Sequence, residues 1–528
     1  MADSANQHFA LTTPLYYVNA APHIGSAYTT MAADAIARFQ RLNGHSVRFI
    51  TGTDEHGQKI QRTAEDAGIP PQIHCDRVAD SFTELWQHLN ITYDRFSRTT
   101  NPRHLPIVRE FFQRVWEQGD IYKDQQRGWY CVGCEEFKEE RELLDDHRCP
   151  LHPNKPTEWR DEENYFFRLS KYQAPLEKLF ADNPDFVKPV SRRNEVLSFI
   201  QRGLRDFSIS RVSLTWGIPL PADESHTIYV WFDALLGYVT ALLEPGQDPT
   251  LENALADWWP INLHLLGKDI LRFHAIYWPA MLLSAQLPLP QQLFVHGFLT
   301  KDGQKMGKSL GNTIDPVALI EQYGADAVRY YFLKEIEFGR DGDFSESRFI
   351  TVLNADLAND LGNLLNRTLG MAKKYCDSQI PVINVDDIPE NHPLKSIGSG
   401  LCGRVKTAYK NCVINRACQE NLELVRACNK YIDDSAPWSL FKQQKQTEVE
   451  IVLYTVLESL RLAAYLMAPV IPQLSTAVYQ QLGLDIDFNA TGVSTQCPLT
   501  VHGVWGYLPS GKKLRKAQPI FARIETET

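Results

Sequence analysis

The order of strand-like and helix-like segments near the N-terminus is the feature that most constrains the fold. Two β-rich segments, FALTTPL at residues 9–15 and SVRFITGTD at residues 46–54, flank a helix-like segment from Ala27 to Leu42. A strand, a helix and a strand in this order predict a parallel sheet. Functional residues of such sheets gather at the carboxyl ends of the strands, and both His23 and the TDEHG turn at residues 53–57 fall there.

The rest of the chain predicts an interrupted sheet followed by a helical region. Residues 120–225 are polar, charged and cysteine-containing, as an insertion would be. Strand-like TIYVWFDALLGYV and INLHLLGKDI, helix-like LRFHAIYWPAMLLSA and a short strand in LFVHGFLT then resume the sheet. From about Phe344, apolar residues follow the i, i+3/i+4 spacing of helices in a bundle; they are Phe349, Leu353, Leu357, Leu361, Leu364 and Leu365. At ~100–200 residues per domain, 528 residues predict about three domains.

Composition and charge narrow the class of protein. The formal net charge of −10 gives no support to broad, nonspecific nucleic-acid binding. The basic stretch GKKLRK at residues 511–516 is more typical of a solvated tail than of a binding site. No apolar run reaches the ~20 residues of a membrane span, and the first ten residues show no export signal. We therefore expect a cytoplasmic protein, and ten cysteines in so long a chain predict no disulfide framework.

Three cysteines and a histidine have the spacing of a metal site. Cys131 and Cys134 are separated by two residues, fourteen residues follow, and Cys149 and His152 are again separated by two. Two such close pairs on tight turns predict a tetrahedral zinc site, and four protein ligands make it structural rather than catalytic. His147 is an alternative fourth ligand, and four unrelated surface residues are the competing interpretation.

Two further segments have residues suited to phosphate. The first turn carries Pro22, His23 and Gly25 ahead of a helix, whose free N–H groups and dipole favour an anion. The second segment, DGQKMGKSLGN at residues 302–312, places Lys305 and Lys308 in a glycine-rich stretch. Mobile ammonium groups suit the charge of a polyphosphate. Read singly, the first segment is also compatible with an ordinary exposed turn and the second with a solvated basic loop.

Together these two segments resemble the HIGH and KMSKS signatures of class I aminoacyl-tRNA synthetases. The chain further resembles the methionyl-tRNA synthetase family, of the bacterial type with one zinc knuckle. The resemblance runs from about Phe9 to the last helices; its motifs are YYVNAAPHIG, TGTDEHG, CVGCEEF, NYFFRLSKY, RDFSISR, YVWFDALLGY, LLGKDILRFHAIYWP, HGFLTKDGQKMGKSLGN, YGADAVRYYFL and DGDFS. Two positions depart from the signatures, because Ser26 replaces the final histidine and Gly307 replaces the central serine.

The resemblance implies an α/β fold with a split catalytic domain. The expected parts are a Rossmann-like first half at residues 1–115, a connective insertion with the zinc knuckle at 116–226 and the second half at 227–292. A KMSKS-loop and stem-contact region at 293–345 and an all-α anticodon-binding bundle at 346–528 follow. The implied enzyme is a methionine–tRNA ligase that forms methionyl-adenylate from methionine and ATP, with Mg²⁺ on the phosphates, and then charges initiator and elongator tRNA.

The resemblance also implies the roles of particular residues. The catalytic residues are His23, Lys305 and Lys308. The ATP-binding residues are these three with Gly25, Ser26, Lys268 and Asp269. The methionine-binding residues are Pro14, Leu15, Tyr17, Asp54, Trp231, Leu235, Tyr238 and His296. The anticodon-binding residues are Asn359, Asn363, Arg367 and Trp438; on spacing alone, the first three are also typical of a solvated helix face. The expected zinc ligands are Cys131, Cys134, Cys149 and His152.

Three other interpretations remain at this stage. A class I synthetase for isoleucine, valine or leucine would usually carry a larger editing insertion, and one for cysteine is a further alternative. A nucleotidylyltransferase would share the histidine turn but lack the helical bundle with Trp438. A zinc-dependent RNA-binding module would not need the two lysines. We expect a monomer, because no additional dimerisation domain follows the last helices.

Overall fold

A computed structural model describes residues 8–150, 152–212, 214–306, 312–490 and 492–525. For Lys305, which lies in the third of these ranges, it describes the backbone but not the side chain. Its central element is a six-stranded sheet in which every neighbouring pair is parallel. In spatial order the strands are Arg95–Arg98, Ser46–Asp54, His8–Tyr17, Leu263–Gly267, Leu293–His296 and Val187–Lys188. The predicted parallel sheet is confirmed.

The first two strands read as continuous buried runs because helices cover both faces of the sheet. The helix between them, Ile24–Leu42, is buried along almost its whole length. The other helices around this half are Gln58–Asp66, Pro71–His88 and His104–Glu117. Two of the six strands lie outside the ranges expected for the catalytic halves: Val187–Lys188 comes from the insertion, and Leu293–His296 follows residue 292.

The insertion forms its own antiparallel sheet. Ile121–Cys131 pairs along its length with Glu158–Phe167, and the two short strands Glu136–Lys138 and Phe207–Ser208 flank this pair. The helices Gln173–Asp182 and Val190–Gln201 and the short helical turns Glu140–Glu142 and Leu169–Tyr172 complete the region. A small second sheet joins Ser210–Arg211, Pro219–Leu220 and Asp223–Ile228.

Two strand predictions need correction in the second half. The strand in TIYVWFDALLGYV ends at Ile228 and lies in the small sheet, and the helices Val230–Ala234 and Gly237–Thr240 follow it. A short apolar run without clear periodicity does not distinguish a buried strand from a buried helix. In addition, LFVHGFLT contains two strands, Leu293–His296 and Leu299–Lys301, with a break at Gly297.

The remaining elements of this half surround the sheet and lead into the bundle. They are Leu251–Leu255, Lys268–Ile270, the π-helix Phe273–Tyr277, Trp278–Ser284, the strands Gln304–Lys305 and Gly342–Phe344, and the helices Pro316–Tyr323 and Ala325–Glu335. The strand Leu299–Lys301 lies between the other two strands in a separate three-stranded sheet.

A helical bundle follows, as the apolar periodicity predicts. Its elements are Glu346–Val352, the π-helix Leu353–Asn363, Leu364–Tyr375, Val385–Asp387, Pro393–Lys410, Ile414–Ser435, Pro437–Lys442, Gln446–Met467, Pro472–Gln481, Val493–Gln496 and Leu499–His502. All six apolar residues on which the prediction rested are buried. Within the described ranges, no helix is long and apolar enough to cross a membrane.

A buried ion cluster joins the bundle to the catalytic domain. Asp34 on the first helix contacts Arg38 at 2.8 Å and Arg329 at 2.7 Å. The Arg329 guanidinium also donates to the carbonyls of Pro469 and Val470 in the bundle. Burial opposes ionisation of Asp34, but the two arginines lower the pKa of its carboxyl to about 2. The two domains therefore share a charged, fully hydrogen-bonded contact rather than an apolar one alone.

Candidate active site, metal centre and RNA-binding face

The His23 side chain is fixed at the N-terminus of the first helix by a reciprocal cap. Its Nδ1 accepts hydrogen bonds from the backbone N–H groups of Gly25, at 3.0 Å, and Ser26, at 3.4 Å. In return, the Ser26 hydroxyl accepts a hydrogen bond from the His23 N–H at 3.1 Å. Because Nδ1 accepts, the neutral ring carries its proton on Nε2. The cap therefore presents an imidazole N–H donor at the positive end of a helix.

Gly25 and Ser26 both serve this geometry. A Cβ on Gly25 would lie 2.8 Å from His23 Cε1, so any other side chain there would displace the imidazole. Ser26 is buried, and its hydroxyl also donates to the His23 carbonyl at 2.7 Å. The expected hydrogen bond from the Ser26 hydroxyl to a phosphate would compete with these contacts.

The second expected phosphate segment is only partly described. Gln304–Lys305 pairs antiparallel with the strand Leu299–Lys301, so Lys305 follows a tight hairpin. The Lys305 side chain, Gly307 and Lys308 lie outside the described residues. In the nearby GKDI motif, the Lys268 ammonium contacts the Asp341 carboxylate at 2.7 Å and lies over the Phe298 ring. Asp269 is exposed beside Gly267.

An aromatic group lies near the carboxyl end of the first strand. The Trp231 ring stacks on Phe273 at 3.9 Å, and Tyr17 meets Trp231 edge-on at 6.1 Å. The Tyr238 hydroxyl lies 2.9 Å from His274 Nε2, and His274 also meets Trp231 edge-on. Burial lowers the pKa of His274 to about 4, so this imidazole is neutral at pH 7. The group forms a polarizable wall with one buried imidazole.

The other residues expected in this pocket divide into two places. Pro14 lies at a β-bulge of the first strand, and Leu15 packs so closely on Gly237 that a Cβ there would overlap it. Leu235 is buried in the same hydrophobic core as Trp231. His296 instead contacts the first helix, because its Nε2 lies 2.7 Å from the Thr29 hydroxyl and its Nδ1 lies 2.7 Å from the Gly297 carbonyl.

His274 is thus a candidate site residue that sequence reasoning missed. It is in direct contact with Trp231 and Tyr238, whereas the ring neighbours of His296 are Tyr28 and Phe338. The segment LRFHAIYWP contains His274, but its π-helical turn at Phe273–Tyr277 decides where the imidazole points. No spacing rule for a regular helix would have identified it.

Asp54 is a buried carboxylate without a matching cation. It ends the second strand, directly opposite Tyr17 in the sheet register. Its Oδ1 is buried and has no hydrogen-bond partner among the described residues. Burial, followed by the carboxylates of Asp233, Glu135 and Glu55, raises its pKa well above the ordinary value. Such an atom calls for a cationic or hydrogen-donating ligand.

Asp54 differs from the neighbouring acids in its Oδ1, because none of the others has a buried side-chain oxygen without a partner among the described residues. Asp233 receives hydrogen bonds from His56 at 2.6 Å and His104 at 2.5 Å. Glu55 pairs with the Arg98 guanidinium at 2.6 Å. Glu135 accepts the Lys59 backbone N–H at 2.6 Å. Asp54 is therefore the carboxylate in this part of the protein that is available to pair with a bound cation.

The predicted metal ligands come together in the insertion. One ligand atom from each of Cys131, Cys134, Cys149 and His152 lies within 4.8 Å of the others. Cys131 Sγ and Cys134 Sγ lie 3.6 and 3.4 Å from His152 Nδ1, and Cys134 Sγ lies 3.6 Å from Cys149 Sγ. A Cβ on Gly133 would lie 2.5 Å from the His152 ring, so the turn requires glycine. Three thiols and an imidazole are a donor set that fits zinc.

Glu135 connects the metal cluster to the turn that follows Asp54. Glu135 follows Cys134 directly, and its backbone has a left-handed φ of 54°. Its buried carboxylate accepts the Lys59 N–H and lies against Gly57, where a Cβ would overlap it. The geometry of the knuckle therefore sets the position of the turn that follows Asp54.

The residues expected to contact an anticodon lie on three segments of the bundle. Asn359 and Asn363 are exposed on the π-helix, where a turn is wider than the α-helical turn assumed from their spacing. The half-buried Arg367 donates to Asp433 at 3.1 Å and to the Asn429 carbonyl at 3.0 Å. Trp438 is 41% exposed on the short helix that follows Ser435. Arg367 thus links the helix that follows the two asparagines to the helix that ends at Ser435, just before Trp438.

The parallel sheet, the capped histidine and the attached helical bundle define a class I aminoacyl-tRNA synthetase. The family model for class I tRNA synthetases (M) matches residues 9–155 and 138–369, and the model for the anticodon-binding domain of methionyl tRNA ligase matches residues 399–528. The chain belongs to the methionyl-tRNA synthetase family.

Individual relatives agree with this assignment over the full length. The chain is 67% identical to the methionine–tRNA ligase of Nostoc, with 99% of each chain covered. It is 54% identical to the chloroplastic/mitochondrial methionine–tRNA ligase of Arabidopsis thaliana, covering 98% of this chain and 83% of that one. The Mycobacterium tuberculosis methionyl-tRNA synthetase in complex with methionyl-adenylate is 41% identical, with a TM-score of 0.91 over 98% of this chain and 99% of that chain.

Proposed function

We propose how the residues of this chain carry out the reaction of its family. Methionine and ATP form methionyl-adenylate and release pyrophosphate. The methionyl group then passes to the 3′-terminal adenosine of a tRNA with a CAU anticodon. Initiator and elongator tRNAs for methionine, ATP and L-methionine are the proposed partners, in a cytoplasmic monomer.

The incompletely paired Asp54 carboxylate is the observation that carries the proposal for methionine. An α-ammonium group supplies the missing positive charge and N–H donors. Tyr17, Trp231, Tyr238 and His274 are close enough to accept an apolar side chain beside it, and a thioether packs well against aromatic rings. The neutral His274–Tyr238 pair adds a polar contact of fixed direction. Pro14, Leu15 and Leu235 lie behind the aromatic residues, and His296 contributes from the side of the first helix.

Activation requires positioning and charge neutralisation rather than a protein nucleophile. The methionine carboxylate attacks the α-phosphate in line with the departing pyrophosphate. His23 donates from Nε2 to a phosphate oxygen as charge develops, and Lys305 and Lys308 neutralise the pyrophosphate. Gly25 leaves room for adenine, Ser26 acts by holding His23, and Lys268 and Asp269 contact the nucleotide. Mg²⁺ bound with ATP supplies additional neutralisation of the phosphates.

The knuckle has a structural role in this proposal. Cys131, Cys134, Cys149 and His152 would hold one zinc ion, which supplies rigidity because four protein ligands leave no open position. Glu135 transmits that rigidity to the turn after Asp54. Metal analysis should find about one zinc per chain.

The tRNA anticodon is read by the polar face of the bundle. Asn359, Asn363 and Arg367 have amide and guanidinium groups that bind unpaired base edges, and Trp438 offers a ring on which a base stacks. Trp438→Ala should spare ATP–pyrophosphate exchange and lower the rate of tRNA charging. The reverse pattern would contradict this role of Trp438.

One assay tests the assignment as a whole. ATP–pyrophosphate exchange is measured with each amino acid in turn, and we expect exchange with methionine only. His23→Ala should slow this exchange while leaving methionine affinity nearly unchanged. Exchange without an amino acid would indicate a nucleotidylyltransferase, and exchange with isoleucine would indicate another class I synthetase.

A further inference from the structure

A cavity of about 390 Å³, lined by both polar and apolar residues, opens beside the anticodon face. One wall is the π-helix and the start of the next helix, with three asparagines, Asn359, Asn363 and Asn366. None of these side-chain amides hydrogen-bonds to another residue in the described part of the chain. The volume falls within the about 300–1,000 Å³ of small-ligand pockets. Three unused amides on one cavity wall can hydrogen-bond an incoming ligand.

The opposite wall is the C-terminal segment, which includes Phe521 and Arg523. Two side-chain amides hold this segment in place by paired hydrogen bonds to its backbone. Gln481 bonds both the N–H and the carbonyl of Gln518, at 2.9 and 3.0 Å. Asn354 does the same for Ile524, at 2.8 and 2.9 Å. The residues between these two attachments form a positioned wall, not a loose end.

The chemistry of the two walls matches that of an unpaired nucleotide. Side-chain amides donate to and accept from base edges, an aromatic ring stacks on a base, and an exposed arginine binds phosphate. Arg523 is exposed, and Phe521 is half-buried with its ring at the cavity. A purely apolar ligand would leave the amides unpaired, and a bare anion would not use the ring.

The charge of the stretch that leads into the C-terminal segment supports the same type of ligand. Lys512, Lys513 and Lys516, which precede the segment, are exposed. Their stretch is fixed to the bundle because the Ile380 N–H donates to the Lys512 carbonyl and the Leu514 N–H donates to the Ser378 carbonyl. On a chain with a formal net charge of −10, these three lysines form a local basic stretch just before the segment that lines the cavity.

We propose that this cavity binds an unpaired nucleotide of the tRNA anticodon loop, with Phe521 stacking on the base and Arg523 binding a phosphate. The proposal rests on the proposed tRNA-binding role of the bundle and adds the C-terminal segment to it. The anticodon face is then two-sided: helix amides lie on one side of the nucleotide and the C-terminal segment lies on the other. Arg367, one residue after Asn366, donates to Asp433 on the helix that precedes Trp438.

The test measures binding of a synthetic anticodon stem-loop RNA with a CAU loop to the full-length protein. Phe521→Leu keeps an apolar side chain but removes the ring, and it should weaken binding about fivefold to a hundredfold, as the loss of one stacked base does. Arg523→Ala should weaken binding and lower the slope of log affinity against log salt by about one contact, whereas Arg523→Lys should restore the slope. ATP–pyrophosphate exchange, which involves no RNA, reports whether each variant is folded.

The controls separate this inference from the function on which it rests. Lys410→Ala removes an exposed charge at the end of another bundle helix and should change affinity less than Arg523→Ala. If Trp438→Ala weakens stem-loop binding while Phe521→Leu and Arg523→Ala bind as the wild type does, the cavity proposal is wrong and the anticodon face stands. If none of the variants changes binding, the proposed anticodon face itself is wrong.

Discussion

The Asp54 carboxylate provides the sharpest test, because the proposed site predicts opposite effects on function and stability. Asp54→Asn keeps the size of the side chain and removes its charge. Removing one partner of a buried ion pair costs about 3–5 kcal/mol. At 1.4 kcal/mol per factor of ten, methionine affinity should fall about a hundredfold to a few thousandfold. The assay is ATP–pyrophosphate exchange at varied methionine concentration.

The same substitution should stabilise the protein without ligand. The folded-state pKa of Asp54 lies well above its ordinary value because of burial and the nearby carboxylates. A group with a raised folded-state pKa favours the folded state while it is protonated, and this contribution is lost as pH rises towards the folded pKa. Asp54→Asn should therefore raise Tm relative to the wild type, and by more at pH 7 than at pH 4.

Asp34 provides a control with the opposite sign. It is buried as Asp54 is, but Arg38 and Arg329 lower its pKa to about 2, so its charge stabilises the folded state above about pH 4. Asp34→Asn should lower stability by about 3–5 kcal/mol and leave methionine affinity unchanged. The reasoning is refuted if Asp54→Asn retains wild-type methionine affinity or lowers Tm as Asp34→Asn does.

Two other predictions follow from local geometry. Gly25→Ala should displace the His23 ring, slow methionine-dependent exchange and cost about 1 kcal/mol of stability through the lost cap. As a control, Gly403→Ala should leave exchange unchanged, because a Cβ at Gly403 meets no atom within 4 Å. Equal effects of the two substitutions would argue against a steric cause. Removal of zinc by a chelator, or Cys149→Ala, should release Glu135 and raise the KM for methionine more than the KM for ATP; equal increases would point to general unfolding instead.

The parts of this molecule that the sequence predicts well are those set by local pattern. The parallel strands show as buried apolar runs, the metal ligands show as two close pairs, and the bundle shows as helical apolar spacing. The structure confirms these because each depends on neighbours a few residues apart. Residues 227–239 are different: burial on all sides removes the periodicity that distinguishes a strand from a helix, and the prediction was wrong after Ile228.

The parts that the sequence does not predict depend on long-range contacts. His274 reaches the aromatic group through a π-helical turn, and Glu135 reaches the Asp54 turn across the insertion. The raised pKa of Asp54 arises first from burial and then from nearby carboxylates, of which Asp233 and Glu135 are distant in the sequence. The spacing of Asn359 and Asn363 suggested an α-helical stripe, but Leu353–Asn363 is a π-helix and the opposite wall comes from the end of the chain.

Ser26, which replaces the final histidine of the HIGH signature, still supports the function of His23. The hydroxyl that replaces the usual histidine is not directed at a ligand but closes the cap on the His23 backbone, while the Ser26 N–H bonds His23 Nδ1. Ser26 does not supply the charge that a second histidine would contribute, but it fixes the orientation of His23. Ser26→Ala should therefore slow methionine-dependent exchange through loss of this orientation, with little change in ATP affinity. Ser26→Thr, which keeps the hydroxyl, should retain the rate; a loss of ATP affinity in Ser26→Ala at an unchanged rate would instead assign the hydroxyl to phosphate binding.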